Sequence, residues 1–218
     1  MNWKKPVAEA EGLALPVFKG ERRMKEWILA SQSPRRKELF GRLVPEFTVI
    51  VDDSTEVWVP EEKPEATVKR LAEEKARNVA AKTDKDALVL AADTVVVLDG
   101  KILGKPKNEA EAYAMLTALS GNTHQVFTGI AVLDRKSGEC VTAAECTKVY
   151  FVDLNEETIR YYIASGEPMD KAGAYGIQDL GALFVEGIEG DYFNVVGLPL
   201  CRLGKLLKES FGIDLWIR

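Results

Sequence analysis

Apolar and polar positions along this chain follow two alternating periods. From 87 to 98 the run ALVLAADTVVVL is apolar almost throughout, and Asp93 is its single ionisable residue. A run of that kind, closed by Asp99-Gly100, predicts a buried strand with a hairpin turn into 101–103. Before it, Val68, Leu71, Ala72, Ala76 and Val79 recur at helical spacing and predict a helix over 65–82. EWILAS (26–31) predicts a strand; Ser33 and Pro34 then supply an N-cap and a first helical position for a helix over 34–43. FTVIV (47–51) predicts a second short strand, followed by an acidic, proline-bounded loop from Asp52 to Pro64. A helix over 108–119 stops before Gly121, and 124–134 and 139–152 read as paired strands around Ser137-Gly138. Asn155 caps a helix over 156–164, with Glu156 and Glu157 in its first turn. A strand over 183–188 and a helix over 197–209 close the chain. Helices alternating with strands, some of them in hairpins, predict an α/β fold with a mixed sheet. Residues 1–23 carry Pro6 and Pro16 and no clear period, so they read as an extension to a unit over 24–218.

Composition narrows the function classes. Of 218 residues, 29 are Lys or Arg and 34 Asp or Glu, a net charge of −5, which argues against a nucleic-acid or membrane-surface partner. An anionic ligand must therefore meet a local cluster of cations. No apolar run reaches the roughly 18 residues of a membrane span. Cys140, Cys146 and Cys201 have no zinc spacing and an odd count, which points to the cytoplasm and to small apolar fillers. His124 is the only histidine and reads as a structural hydrogen-bonding group. Neither a GxSxG elbow nor a Walker A loop is present.

Chemistry is expected where the local pattern breaks its own rules. Ser33-Pro34-Arg35-Arg36 opens a helix, where unpaired N–H groups suit phosphate. Two arginines there oppose the helix dipole, a penalty a bound anion would reverse; the alternative is a solvated basic turn. Lys75 lies inside the apolar stripe of its helix, either reaching a ligand or snorkelling to the surface. Asp93 must find a cation, a metal or a catalytic task, because an unpaired carboxylate in a buried strand is costly. Thr94 points to the opposite face of the strand. Lys105 in Gly104-Lys105-Pro106 and Lys171 in Met169-Asp170-Lys171 would, with the arginines and Lys75, surround a polyphosphate. Glu56 would share a divalent cation with Asp93, and hard oxygen ligands suit magnesium or manganese. The residues alone thus point to a phosphorylated small molecule without naming it.

These same positions resemble the Maf family of nucleoside triphosphate pyrophosphatases. The resemblance runs from about Met24 onward and rests on ordered motifs: ILASQSPRRKELF (28–40), LAEEKA (71–76), AADTVV (91–96), GKP (104–106), LSGNTHQVFTG (119–129), GEPMDKAGAYGIQ (166–178) and NVVGLPL (194–200). It implies hydrolysis of a nucleoside triphosphate to the monophosphate and pyrophosphate with a divalent cation. It also implies an elongated mixed sheet flanked by helices, with two lobes around a cleft, similar to inosine triphosphate pyrophosphatases. Asp93 then resembles the family's proton acceptor. Ser33, Arg35, Arg36, Lys75, Lys105 and Lys171 resemble its substrate-binding set, and Glu56 and Asp170 lie near the metal. Gln178, with Arg35 and Thr94, matches positions tied to pyrimidine choice, which places the chain nearer the dTTP/UTP branch than the 7-methyl-GTP branch. The other reading is a non-catalytic nucleotide-binding regulator of septum formation. A homodimer fits a protein of this kind. The sequence departs from the family at Asp179, where a glycine usually follows the GIQ, and at Thr55-Glu56, where an acidic pair is usual.

Overall fold

The computed structural model describes residues 25–54, 57, 59 and 61–216. The extension read at 1–23 and the candidate ligand Glu56 lie outside these residues. The described chain forms strands β1 (Glu26–Leu29), β2 (Thr48–Val49), β3 (Ala87–Leu98), β4 (Lys101–Leu103), β5 (Thr123–Asp134), β6 (Cys140–Phe151) and β7 (Val185–Glu189). The helices are α1 (Pro34–Leu43), α2 (Pro64–Ala81), α3 (Glu109–Leu119), α4 (Glu156–Ala164), α5 (Tyr192–Val196) and α6 (Leu200–Phe211). Three short 3-10 segments over 167–184 join α4 to β7.

The helix starts follow the capping residues. Ser33 accepts from the Arg36 amide, Asn108 from Glu111 and Asn155 from Thr158. Two expectations change. The strand read at 47–51 shrinks to Thr48–Val49, because β1 offers it only Ile28 and Leu29 as partners before the chain leaves the sheet for α1. The terminal helix read from 197 begins at Leu200, after a separate short helix over 192–196. Gly197, at φ 114°, takes a conformation that a side chain would strain, and Pro199 then starts the new helix.

The mixed sheet has the order β2-β1-β3-β5-β6-β7, with β4 beside β3. β1 runs parallel to β2 and β3, and the other pairs are antiparallel. β5 accompanies β3 from Leu88 to Val97. On the other edge, β1 covers Ala87–Leu90 and β4 covers Val96–Leu98. Among the described residues, 91–95 therefore have no strand neighbour on that edge.

Side-chain alternation sends the two faces of β3 to different cores. Ala87, Val89 and Ala91 pack under Ala72, Ala76 and Val79 of α2, while Val95 and Val97 meet Val68 of the same helix. Leu88, Leu90 and Ala92 join α1 and α6, whereas Val96 joins α3 and α4. Asp93 breaks the first face and Thr94 the second, both within the uncovered stretch. The mixed sheet is thus flanked by helices on both faces, as the resemblance implied, and its second face carries two apolar clusters.

Gly129 stands opposite Asp93 on β5. A Cβ there would collide with the Val68 carbonyl and the Lys69 amide, so α2 rests its backbone directly on the sheet. Both collisions are with backbone, which cannot yield cheaply. Gly129→Ala should cost about 3 kcal/mol of unfolding free energy, read from the midpoint of a urea titration. A change under about 0.5 kcal/mol would contradict this packing.

His124 on β5 is buried, and its Nε2 lies 2.7 Å from Tyr175 Oη, the structural hydrogen bond expected for it. Phe151 and Tyr175 meet its ring edge-on at centroid distances of 4.9 and 5.3 Å. Burial pushes the imidazole down from its ordinary 6.5 to about 4. The unfolded chain therefore binds a proton that the folded chain refuses between those values. The resulting stability is complete above pH 6.5 and is lost as pH falls towards 4. The full effect is about 3 kcal/mol. His124→Gln should flatten the fall in melting temperature over that range; an unchanged pH slope would contradict the assignment.

Candidate functional site

A cleft of about 860 Å³ opens along the uncovered edge of β3. Its walls follow from the topology. β1 ends early and hands the chain to α1, whose first turn brings Ser33, Arg35 and Arg36 to the cleft. β3 forms the floor with Asp93 and Thr94, and α2 adds Lys75. The exit from β4 supplies Lys105, and the short-helix loop after α4 supplies Asp170, Lys171 and Gln178. Every candidate residue named from the sequence lines this one cleft except Glu56, which lies outside the described residues.

Asp93 is 6% exposed and ion-pairs with Lys75, whose stem crosses from α2. Both sequence anomalies thus explain each other: the lysine in the apolar stripe is the cation that the buried carboxylate required. Removing either partner would leave a charge stranded against the core.

Arg36 Nε donates to the Gly197 carbonyl at 2.8 Å, Nη2 to Thr94 Oγ1 at 2.8 Å, and Nη1 to Ser31 Oγ at 3.5 Å. Its planar fork spans acceptors on separate elements, which a lysine cannot do. The arginine expected to bind phosphate therefore also ties α1 to β3 and to the α5–α6 turn. Its neighbour Arg35 pairs with Asp170 at 3.2 Å, joining α1 to the opposite wall.

Lys171 is 7% exposed and donates to the Glu167 carbonyl at 2.6 Å and to Asp170 at 2.8 Å. It serves the loop as much as any ligand. Burial raises the Asp170 carboxyl, but Lys171 and Arg35 outweigh it and hold the group below the usual carboxylate range. Lys105 is exposed at the rim, and Gln178 is half-buried.

Sequence reasoning missed two supporting groups. Glu167 accepts from Tyr162 Oη at 2.8 Å and from the Leu180 amide at 3.2 Å, fixing the loop that bears Lys171 and Gln178. Asn194 and Thr128 are fully buried and bonded to each other beneath Thr94. Their signal was a polar residue inside an apolar run, read there only as part of a motif. Two cysteine readings need amendment as well. Cys201 is exposed on α6 and fills no core, and Cys146 is half-buried on β6; only Cys140 packs against a core cluster.

Among the described residues no His, Cys, Asp and Glu side chains gather in threes that could hold an ion. The cleft sets one buried carboxylate, Asp93, and the exposed Asp170 among Arg35, Arg36, Lys75, Lys105 and Lys171, a surplus of cations that suits a polyanion.

A family model described as "Maf-like protein" matches residues 26–210. A protein of Alkaliphilus metalliredigens named dTTP/UTP pyrophosphatase is 52% identical over 192 residues, 88% of this chain and 100% of its own length. One of the same name from Moorella thermoacetica is 53% identical over 199 residues, 89% of this chain and 100% of its own. A solved HAM1 protein from Coxiella burnetii superposes with a TM-score of 0.46 at 17% identity, covering 86% of this chain and 100% of that one.

Arg36→Ala should remove the tie between α1, β3 and the α5–α6 turn. The expected loss is about 2 kcal/mol of stability, measured by denaturant unfolding without nucleotide. Arg36→Lys should recover less than half of it. Wild-type stability in Arg36→Ala would show that this residue has no structural task.

Proposed function

The chain belongs to the Maf-like protein family, and on that footing we propose that it hydrolyses dTTP and UTP to the nucleoside monophosphate and pyrophosphate. The observation that supports this most is the pairing of Asp93 with Lys75 on the floor of a cation-walled cleft. Relatives about half identical over nearly their whole length carry that activity in their names. The catalytic unit in this reading is 24–218, acting in the cytoplasm, where free thiols such as the three found here persist.

In the proposed reaction, water attacks the α-phosphorus in line with the bridging oxygen to the β-phosphorus. The new P–O bond forms as the bridging bond breaks. The water proton passes to the Asp93 carboxylate, and the electron pair of the broken bond leaves on pyrophosphate. Lys75 holds the Asp93 carboxylate in one orientation. Arg35, Arg36 and Lys105 offset the charge that builds on the leaving group, with the first turn of α1 presenting its N–H groups behind Ser33. Positioning and electrostatics supply most of the acceleration in phosphoryl chemistry.

A divalent cation fits this cleft when it arrives with the substrate. Magnesium and manganese take one or two carboxylates plus phosphate oxygens and water, and Asp93 and Asp170 are the carboxylates named for it, with Glu56. Such an ion would neutralise triphosphate charge and make water more acidic. Gln178 offers an amide donor and acceptor to a pyrimidine edge.

The test is pyrophosphate release with magnesium or manganese across dTTP, UTP, CTP, GTP and 7-methyl-GTP. Preference for dTTP and UTP is expected. Asp93→Asn should keep nucleotide affinity within a few-fold and lose about 100-fold or more in kcat. Folded protein that binds these nucleotides and releases no pyrophosphate would overturn the enzymatic reading in favour of a sensor.

A further inference from the structure

The proposed reaction leaves one buried charge of the cleft without a task. Lys171 is 7% exposed, yet it stands in the wall beside the other cations. Its Nζ donates to the Glu167 carbonyl at 2.6 Å and to Asp170 Oδ1 at 2.8 Å. Its stem is covered by the main chain at Gly176, where a Cβ would come within 2.6 Å of Cε and 2.8 Å of Cδ. The residue that accepts from it is held in turn, because the Glu167 carboxylate takes the Tyr162 hydroxyl at 2.8 Å and the Leu180 amide at 3.2 Å. A lysine so enclosed spends its charge inside the loop.

The other oxygen of Asp170 reaches across the cleft. Oδ2 accepts from Arg35 Nη1 at 3.2 Å, so one carboxylate stands between two cations, one on each oxygen. Arg35 sits in the first turn of α1, where the positive end of the helix dipole opposes it. Asp170 offsets that repulsion and orients the guanidinium. A carboxylate at this distance also cancels much of the arginine's field, and a neutral pair has little to offer a triphosphate. Lys171 neutralises Asp170 from behind. The three groups together carry one net positive charge. Arg35 is the outer cation, its side chain 23% exposed against 8% for Lys171, so that charge faces the cleft at the guanidinium.

We propose that Lys171 is a positioning residue that works through Asp170: it fixes and neutralises the carboxylate, so that Arg35 is both held in place and left charged towards the triphosphate. The inference rests on the proposed hydrolysis of dTTP and UTP. It departs from the resemblance, which counts Lys171 among the substrate-binding groups. In the proposed reaction Arg35 offsets charge on the leaving pyrophosphate, and Lys171 sets how much charge Arg35 has to offer without touching the nucleotide.

The test is a double-mutant cycle on kcat/KM for UTP, read by pyrophosphate release from the full chain with magnesium. Lys171→Met keeps the stem and removes the charge, and should cost about tenfold. In an Arg35→Ala background the same substitution should cost less than about twofold, because the cation it serves is gone. Lys171→Gln, which keeps a donor for the Glu167 carbonyl, repeats the cycle if the methionine variant does not fold. An equal cost in both backgrounds would mean that Lys171 meets the nucleotide itself or only holds the loop, and would overturn the proposal. Wild-type kcat/KM in folded Lys171→Met or Lys171→Gln would overturn it as well. A wild-type chain that releases no pyrophosphate from UTP or dTTP would instead remove the functional reading beneath it.

Discussion

A β-strand must satisfy two edges, and β3 satisfies one of them only in part. Its partner β5 runs beside it nearly end to end, while β1 pairs with it only as far as Leu90 and β4 only from Val96. Between them the sheet has an open edge at its centre, a position where strands are normally covered. Backbone polar groups at an open edge need water or a ligand, so a cleft there is a consequence of strand lengths. The neighbours on that edge leave the strand at once: β1 turns into α1, and β4 into Gly104 and Lys105. Both exits bring cations to the same opening.

The side chains of this stretch answer the same constraint. Adjacent residues on a strand point to opposite faces, so the dipeptide Asp93-Thr94 breaks both apolar cores at one level. On one face Lys75 meets Asp93 from α2. On the other, Thr94 joins Thr128 and Asn194 and separates the α1–α6 core from the α3–α4 core. Polar groups this deep are retained at a cost; Asp93, Thr94 and Thr128 each have a partner placed by a different element, and the Asn194 side chain is held through its Nδ2. The cleft is thus held from below by hydrogen bonds and from the sides by ion pairs such as Arg35–Asp170.

Much of this was legible in the sequence because the main signals were strong. The run from 87 to 98 is too apolar and too β-branched to be anything but a buried strand, and α2 has a clear stripe with Ser/Asn-type caps marking helices elsewhere. The isolated charge of Asp93 and the misplaced charge of Lys75 were visible as separate violations; that they cancel each other required the fold, because helix-to-strand register is not written in either segment. The edge strand β2 was overestimated because its length is set by its partner β1, which ends at Leu29, and not by its own apolar residues. The break at Gly197 was missed because a left-handed glycine inside an apolar run looks the same as a tolerated helical one. Thr128 and Asn194 were invisible as site residues, since a buried hydroxyl or amide is significant only through what lies beside it.

The central claim is that the open edge of β3, at Asp93, receives the triphosphate. A crystal structure with magnesium and the non-hydrolysable analogue α,β-imido-UTP tests it most directly. The account predicts the α-phosphorus facing the Asp93 carboxylate, the terminal phosphates between Lys105 and the first turn of α1, and the uracil edge near Thr94 and Gln178. An analogue seated elsewhere on the molecule, or lying in the cleft with its phosphates turned away from Asp93, would contradict it.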